Sequence, residues 1–191
     1  MGKVVHLDKV REFMRTTPAF RARDVEMIVD DGGYAALLLH NLAKRGEVKR
    51  ITKGWYTVHD DPLVSVFGFK PAYIGLQEAL SLRELWEQES NVVLVTALRV
   101  RPGVRRVMGS NVVLHRMSDR YVFGFDFLKY GELMLPVSDR EKTLIDLVYF
   151  NESPGVSVMK RIAKGADMGK LNRYLQSYPK AFRRRVRRHL A

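Results

Sequence analysis

Apolar positions along the chain change period several times, and each change marks a predicted element. Residues 3–15 place Val5, Leu7, Val10, Phe13 and Met14 at helical spacing, and Thr16-Thr17-Pro18 ends that helix. From Arg21 a short helical pattern runs into Asp30-Asp31-Gly32-Gly33. Glycine tolerates positive φ, so the pair predicts the point where one helix stops and the chain turns into the next. From Tyr34 onward, Ala35, Leu38 or Leu39, Leu42 and Gly46 recur at three- and four-residue steps, which predicts one buried face, with Gly46 as the cap. "EVKRI" then alternates as a strand, Lys53-Gly54 makes a tight turn, and "WYTV" returns.

Helix, turn, helix and basic hairpin, in that order, describe a winged helix-turn-helix, a module whose second helix enters a DNA groove. The face of that helix turned from the buried stripe carries Tyr34, Leu37, His40, Asn41 and Lys44, with Arg45 at its edge. Asn can bridge an adenine edge, Lys and Arg can reach guanine or phosphate, and Tyr can contact the backbone. Lys49, Arg50 and Lys53 make the wing basic. Helix-turn-helix-hairpin units also serve as protein-binding modules, and an exposed Leu37 suits a partner surface as well as a groove.

His59-Asp60-Asp61-Pro62 is polar, turn-forming and closed by proline, so it is the predicted boundary of a first domain, residues 1–60. Residues 61–155 read as a mixed α/β domain. "YIGLQEALSLRELWEQ" predicts an amphipathic helix with Ile74, Ala79, Leu80, Leu82 and Leu85 available for burial. "NVVLVTAL" is a buried-strand run, two strands surround Pro102-Gly103 and Gly109-Ser110, and "YVFGFDFLKYGELMLPV" continues the sheet. Ser138 and Glu141 have capping-box spacing ahead of the helix "KTLIDLVYF". Lys142 and Asp146 then form an i,i+4 pair on an exposed face. After Pro154-Gly155, residues 156–191 read as two or three helices divided near Gly165 and Pro179. A helix from Lys180 would gather Ala181, Phe182, Val186 and Leu190 into an apolar stripe and turn Arg183, Arg184, Arg187 and Arg188 away from it. The expected class is α+β: a winged helix-turn-helix, a mixed α/β domain and a basic helical tail.

Composition narrows the chemistry. A hydrophobic fraction of 46% and a charged fraction of 28% are those of a globular chain. No apolar run approaches the roughly 20 residues of a membrane helix, and the N-terminus lacks a signal-peptide core, so a cytoplasmic protein is expected. With no cysteine, disulfides, thiolate nucleophiles and Cys-based zinc sites are excluded together. His6, His40, His59, His115 and His189 are scattered, and Gly32-Gly33 lacks the rest of a phosphate loop. Asp126, Glu141 and Lys142 form only a faint nuclease-like set. Binding without catalysis, cofactor or metal is the expectation.

The net charge of +12 makes nucleic acid the leading partner class. From Lys160 onward there are eleven Lys/Arg and one acid, Asp167, whereas the first 159 residues carry twenty-two basic and twenty acidic groups, a net of only +2. The attraction is therefore concentrated at the C-terminal end, where phosphate contact or an acidic protein are the two readings.

Four segments in order resemble the AbiEi family, the antitoxin and transcriptional-regulator component of type IV toxin–antitoxin systems. They are "LAKRGEVKRITKGWYTV", "PAYIGLQEALSLREL", "NVVLVTALRVRPG" and "LPVSDREKTLIDLVY", within roughly residues 20–150. The last is similar to the family's strand-to-helix element, with Glu141, Lys142 and Asp146 at the matching positions. The resemblance implies an N-terminal domain that represses its own operon at an inverted-repeat operator. It also implies a C-terminal part acting against a nucleotidyltransferase-like toxin. By position it puts DNA contact on Tyr34, Leu37, Asn41, Lys44 and Arg45, with the wing on Lys49, Arg50 and Lys53. The expected function is a sequence-specific DNA-binding repressor, acting as a homodimer or as paired monomers on double-stranded DNA. A protein-binding antitoxin or adaptor and an RNA-binding protein are the alternatives.

Overall fold

The computed structural model describes residues 2–87, 91–152 and 154–190. It divides into two compact units, Met1–Phe69 with Arg106–Ser110, and Lys70–Arg105 with Asn111–Ala191. Val5 and Leu190, both predicted core positions, lie outside the residues whose side chains are described. Gln88, at the end of the predicted "YIGLQEALSLRELWEQ" helix, also lies outside the described residues.

In the first unit the order is α1 (Gly2–Thr16), β1 (Phe20–Arg21), α2 (Ala22–Val29), α3 (Gly32–Lys44), β2 (Lys49–Thr52) and β3 (Trp55–Thr57). The strands form an antiparallel sheet ordered β1-β3-β2, with Phe20 and Arg50 both opposite Tyr56. Val10, Met14, Phe20, Val25, Ala35, Leu38, Leu39 and Leu42 are buried together, so the three helices and the small sheet share one core. Both Leu38 and Leu39 are inside, because the buried stripe of α3 spans two adjacent rows.

The turn between α2 and α3 differs from the expected glycine break. Asp30 takes the left-handed conformation at φ 54° and its N–H donates to the Glu26 carbonyl at 2.7 Å. Asp31 then caps α3, its carboxylate accepting from the Tyr34 N–H at 2.9 Å, so Gly32 and Gly33 form the first helical turn. Aspartate tolerates the left-handed region and satisfies an orphan helix N–H, which glycine cannot do. Asp31→Ala should therefore cost about 1 kcal/mol of stability, read as a shifted urea midpoint at unchanged m-value. An unchanged midpoint would remove the cap from the account.

The stretch predicted as a polar boundary leads into a 3-10 segment, Pro62–Phe69, whose residues from Leu63 on are buried. It belongs to the first unit. Gly68 lies against β2 so closely that a Cβ there would stand 2.6 Å from the Ile51 side chain.

The chain continues with β4 (Ala72–Ile74), α4 (Leu76–Leu82), β5 (Val92–Thr96), β6 (Gly103–Val107), β7 (Ser110–Arg116), β8 (Phe125–Tyr130) and β9 (Leu133–Ser138), and ends with α5 (Arg140–Phe150), α6 (Val156–Lys164), α7 (Met168–Leu175) and α8 (Lys180–Leu190), all in the second unit except Arg106–Ser110. The six-stranded sheet is ordered β6-β7-β5-β4-β9-β8 and is mixed: β4 runs antiparallel to β5 but parallel to β9, and β5 is parallel to β7. The segment expected as one amphipathic helix is split. Tyr73 and Ile74 are strand residues with both faces covered, and only Leu76–Leu82 is helical. A short run buried on every side suits either element, and the sheet partners Val95 and Leu94 decide it.

The entry to α5 also differs from expectation. Its cap is Asp139, which accepts from the Lys142 N–H at 2.8 Å, one residue after the predicted Ser138. Glu141 takes no part in capping α5 and is buried, while Lys142 and Asp146 are wholly buried instead of lying on an exposed face. Helix α5 is covered by the sheet and by α4, α6, α7 and α8, so no face of its central turns meets water. The C-terminal stripe is narrower than predicted: Val186 is buried and Phe182 half-buried, but Ala181 is exposed.

Candidate nucleic-acid interface

Helix α3 has one face sealed by Ala35, Leu38, Leu39 and Leu42, which fixes the rotation of the other. Leu37, His40, Asn41 and Lys44 stand exposed on that outer face, with Leu37 57% exposed, beside the small Ala36 and Ala43. An amide, an imidazole and an ammonium on one face, with alanines between, leave room for a nucleic-acid surface to approach. Tyr34 differs from this group, because its ring packs half-buried against the core. Arg45 follows the helix, with its Nη1 3.9 Å from Glu47 Oε1. Glu47 also takes Arg11 at 3.0 Å, so the charge at that helix end is partly offset.

The β2–β3 turn carries the other cations. Lys53 is exposed next to Gly54, whose φ of +78° closes the turn. Arg50 is exposed, with Nε donating to the Thr52 carbonyl at 3.2 Å. Lys49 is half-buried and bound to Asp60. The ammonium holds the Asp60 carboxyl below the usual carboxylate range through that hydrogen bond and its charge. The charge of Lys49 is thus partly offset within the first unit. Arg21 adds a cation that the sequence pattern does not mark, its guanidinium 4.4 Å from the Trp55 ring centre in the β1–β3 pair. A two-residue strand has no periodicity from which to foresee it.

In the second unit the cations of the last three helices share few acids. Arg184, Arg187 and Arg188 are exposed on α8, and Lys160, Arg161, Lys164 and Arg173 are exposed on α6 and α7. Arg183 is half-buried and does not simply point outward, because its Nε donates to the Tyr178 carbonyl at 2.8 Å. Arg185 reaches the Val148 carbonyl at 2.9 Å and ties α8 to α5. Those two arginines are tied to backbone carbonyls, and the remaining three, with Lys180, carry exposed charge on α8.

The same unit contains a polar cluster that invites a chemical reading. Tyr73 donates to Asp146 at 2.6 Å, Asp146 binds Lys142, and Lys142 Nζ lies 3.3 Å from the Tyr178 hydroxyl. Asp139 accepts from Tyr174 at 2.7 Å and meets Lys170 at 3.0 Å, while Glu141 takes the Asp167 N–H at 2.8 Å. Burial pulls the Lys142 ammonium below its ordinary value and raises the Asp146 carboxyl above its own; attraction within the pair counters both. Lys142 and Asp146 have no exposed surface, so this pair ties the surrounding elements together from within the core. The nuclease-like trio is dispersed among partners: Asp126 is held by Arg83, Lys142 by Asp146, and Glu141 by Lys170 and the Asp167 amide. Among the described residues no group of three or more His, Cys, Asp or Glu could hold a metal ion. No helix among them is long and apolar enough to cross a membrane.

No protein-family model matches this chain, and no curated protein matches it either. Its fold is similar to the crystal structure of the RV2827C protein from Mycobacterium tuberculosis, with a TM-score of 0.61 at 13% identity, over 97% of this chain and 76% of the other. At that identity the likeness is one of fold. The chain is an α+β protein built on two sheets.

Proposed function

We propose that the chain is a sequence-specific DNA-binding regulator of the AbiEi type, whose first unit works as a winged helix-turn-helix. One observation carries the reading: the order α1-β1-α2-α3-β2-β3 closes a sheet β1-β3-β2 beside an α3 whose outer face bears Leu37, His40, Asn41 and Lys44. In this reading α3 lies in a major groove, Asn41 and Lys44 meet base edges or phosphate, and Arg50 and Lys53 hold the flanking backbone. The exposed arginines of α8 add attraction that carries no sequence information. Occupancy of an operator with two half-sites, by a dimer or by two monomers, represses transcription.

The test is binding of the full chain to the duplex upstream of its own gene and to a scrambled duplex of equal length, over a salt series. Preference for the upstream duplex is expected. Arg184→Gln/Arg187→Gln/Arg188→Gln should weaken both duplexes alike and reduce the salt slope by roughly 2–3, at about 0.9 per lost phosphate contact. Equal affinity of the unaltered protein for both duplexes would sink the reading.

A protein-binding antitoxin or adaptor is the second reading, favoured by Met27, 82% exposed on α2, and by Leu37. Its partner would be a nucleotidyltransferase-like toxin. Co-purification with such a neighbour-encoded protein, without preference for the upstream duplex, is what it expects. Tighter binding of structured RNA than of duplex DNA at equal salt would instead favour an RNA-binding protein.

A further inference from the structure

From Asn91 to Met117 the chain has no aspartate or glutamate, yet it carries Arg99, Arg101, Arg105, Arg106 and Arg116. None of these belongs to α3, to the β2–β3 turn or to the C-terminal helices. Arg99 and Arg101 are exposed in the segment leading from β5 into β6, and Arg105 is half-buried on β6 itself. Arg101, Pro102, Gly103, Val104 and Arg105 line a cleft of about 470 Å³. Arg105 Nη2 donates to the Arg101 carbonyl at 2.9 Å, which positions one guanidinium at the cleft. Gly103 has φ +119° and open space where a Cβ would stand, so a ligand oxygen can come close to its backbone. Among the described residues strand β6 is the last on its side of the sheet, so its outer edge pairs with no further strand there.

We propose that this arginine segment is a second phosphate-gripping site, which holds the backbone of double-stranded DNA without reading its bases. The proposal rests on the DNA-binding reading and adds a contact which that reading does not contain. Guanidinium groups stay charged at any physiological pH and match phosphate oxygens with two parallel N–H donors. With no acid in the segment, nothing within it cancels that attraction. The cleft lining has no amide to bridge an adenine edge and no carboxylate to accept from cytosine. A protein partner would need a buried apolar or aromatic anchor, whereas the cleft offers only Val104, 65% exposed, beside Pro102. The phosphate backbone is the ligand that fits.

The experiment measures binding of the full chain to a fluorescein-labelled random-sequence duplex over a salt series. Arg99→Gln/Arg101→Gln/Arg105→Gln should weaken binding and lower the salt slope by roughly 2–3, at about 0.9 per phosphate contact. Arg99→Lys/Arg101→Lys/Arg105→Lys should recover most of that slope, and the glutamine variant should keep the melting temperature of the parent. A slope unchanged in the glutamine variant overturns the site. So does an unchanged duplex slope with loss of binding to a polyglutamate peptide, which would assign the segment to an acidic protein. The two readings separate cleanly. If the glutamine variant matches the parent while preference for the upstream duplex persists, the site falls and the regulator stands. If the slope flattens but no upstream preference exists, the site stands and sequence-specific regulation falls.

Discussion

Lys142→Ala is expected to destabilise the protein by about 3–5 kcal/mol, because it leaves a buried carboxylate without its counter-charge. Lys142 and Asp146 have no exposed surface, and the pair is tied to Tyr73 at 2.6 Å and to Tyr178 at 3.3 Å. Truncation removes the ammonium from the centre of a network that joins β4, α5 and the segment before α8. Burial already raises the Asp146 carboxyl, and the lysine is the largest influence holding it down. In the variant that carboxyl should rise further. A folded-state value above the unfolded one gives stability that is present at low pH and lost as pH rises through the folded value. The variant should therefore lose stability progressively above the ordinary carboxylate range, over pH values where the parent changes less. Lys142→Met/Asp146→Leu should recover much of the loss, since a packed apolar pair removes both charges from the interior. Urea unfolding over a pH series checks all three statements. A loss under about 1 kcal/mol for the alanine variant would contradict the buried ion pair.

Asn41→Ala/Lys44→Ala carries the largest expected functional effect. Both side chains stand exposed on the outer face of α3, away from Leu38, Leu39 and Leu42, so the fold should be unaffected. A bidentate Asn–adenine contact contributes roughly 1–3 kcal/mol of discrimination against a wrong base. The ratio of affinities for the upstream and scrambled duplexes should therefore fall by about 5- to 150-fold. Lys44 contributes charge, so the salt slope should also fall by about 1. The α8 triple variant should show the opposite pattern, with a shallower slope by roughly 2–3 and an intact affinity ratio. If both variants change the ratio equally, or neither does, the division between a reading helix and an electrostatic helix is wrong.

How much of this was legible beforehand depended on the range of the interactions. The burial of Ala35, Leu38, Leu39 and Leu42, and with it the outward aim of Asn41 and Lys44, follows from helical spacing alone. The three C-terminal helices likewise divide near Gly165 and Pro179 as their breakers indicate. The α2–α3 turn differs from the expected glycine break because Asp and Gly both serve helix ends. Which one does so at a given step depends on whether a carboxylate can reach an N–H, as Asp31 reaches Tyr34. The cation set of the candidate interface was only partly legible. Lys49 is claimed by Asp60, and Arg183 by a backbone carbonyl at Tyr178; nothing in the spacing of the basic residues separates these from Lys53 or Arg184.

By itself, the sequence determined what local periodicity and covalent composition can determine. These are the sealed stripe of α3, the hairpin turn at Gly54, the amphipathic C-terminal helices, the absence of thiol chemistry, and the excess of charge toward the end of the chain. The tertiary structure alone decided that Lys142 and Asp146 belong to the interior. An i,i+4 Lys–Asp pair has the same spacing on an exposed helix as on a buried one. Only the packing of the sheet and of α4, α6, α7 and α8 around α5 removes the water that would otherwise surround it. The structure also turned the arginines between Arg99 and Arg105 from a scattered count into a cleft beside an open glycine at a sheet edge. Whether a strand lies at the edge or in the middle of a sheet is a property of its neighbours, set by pairings between residues far apart in the chain.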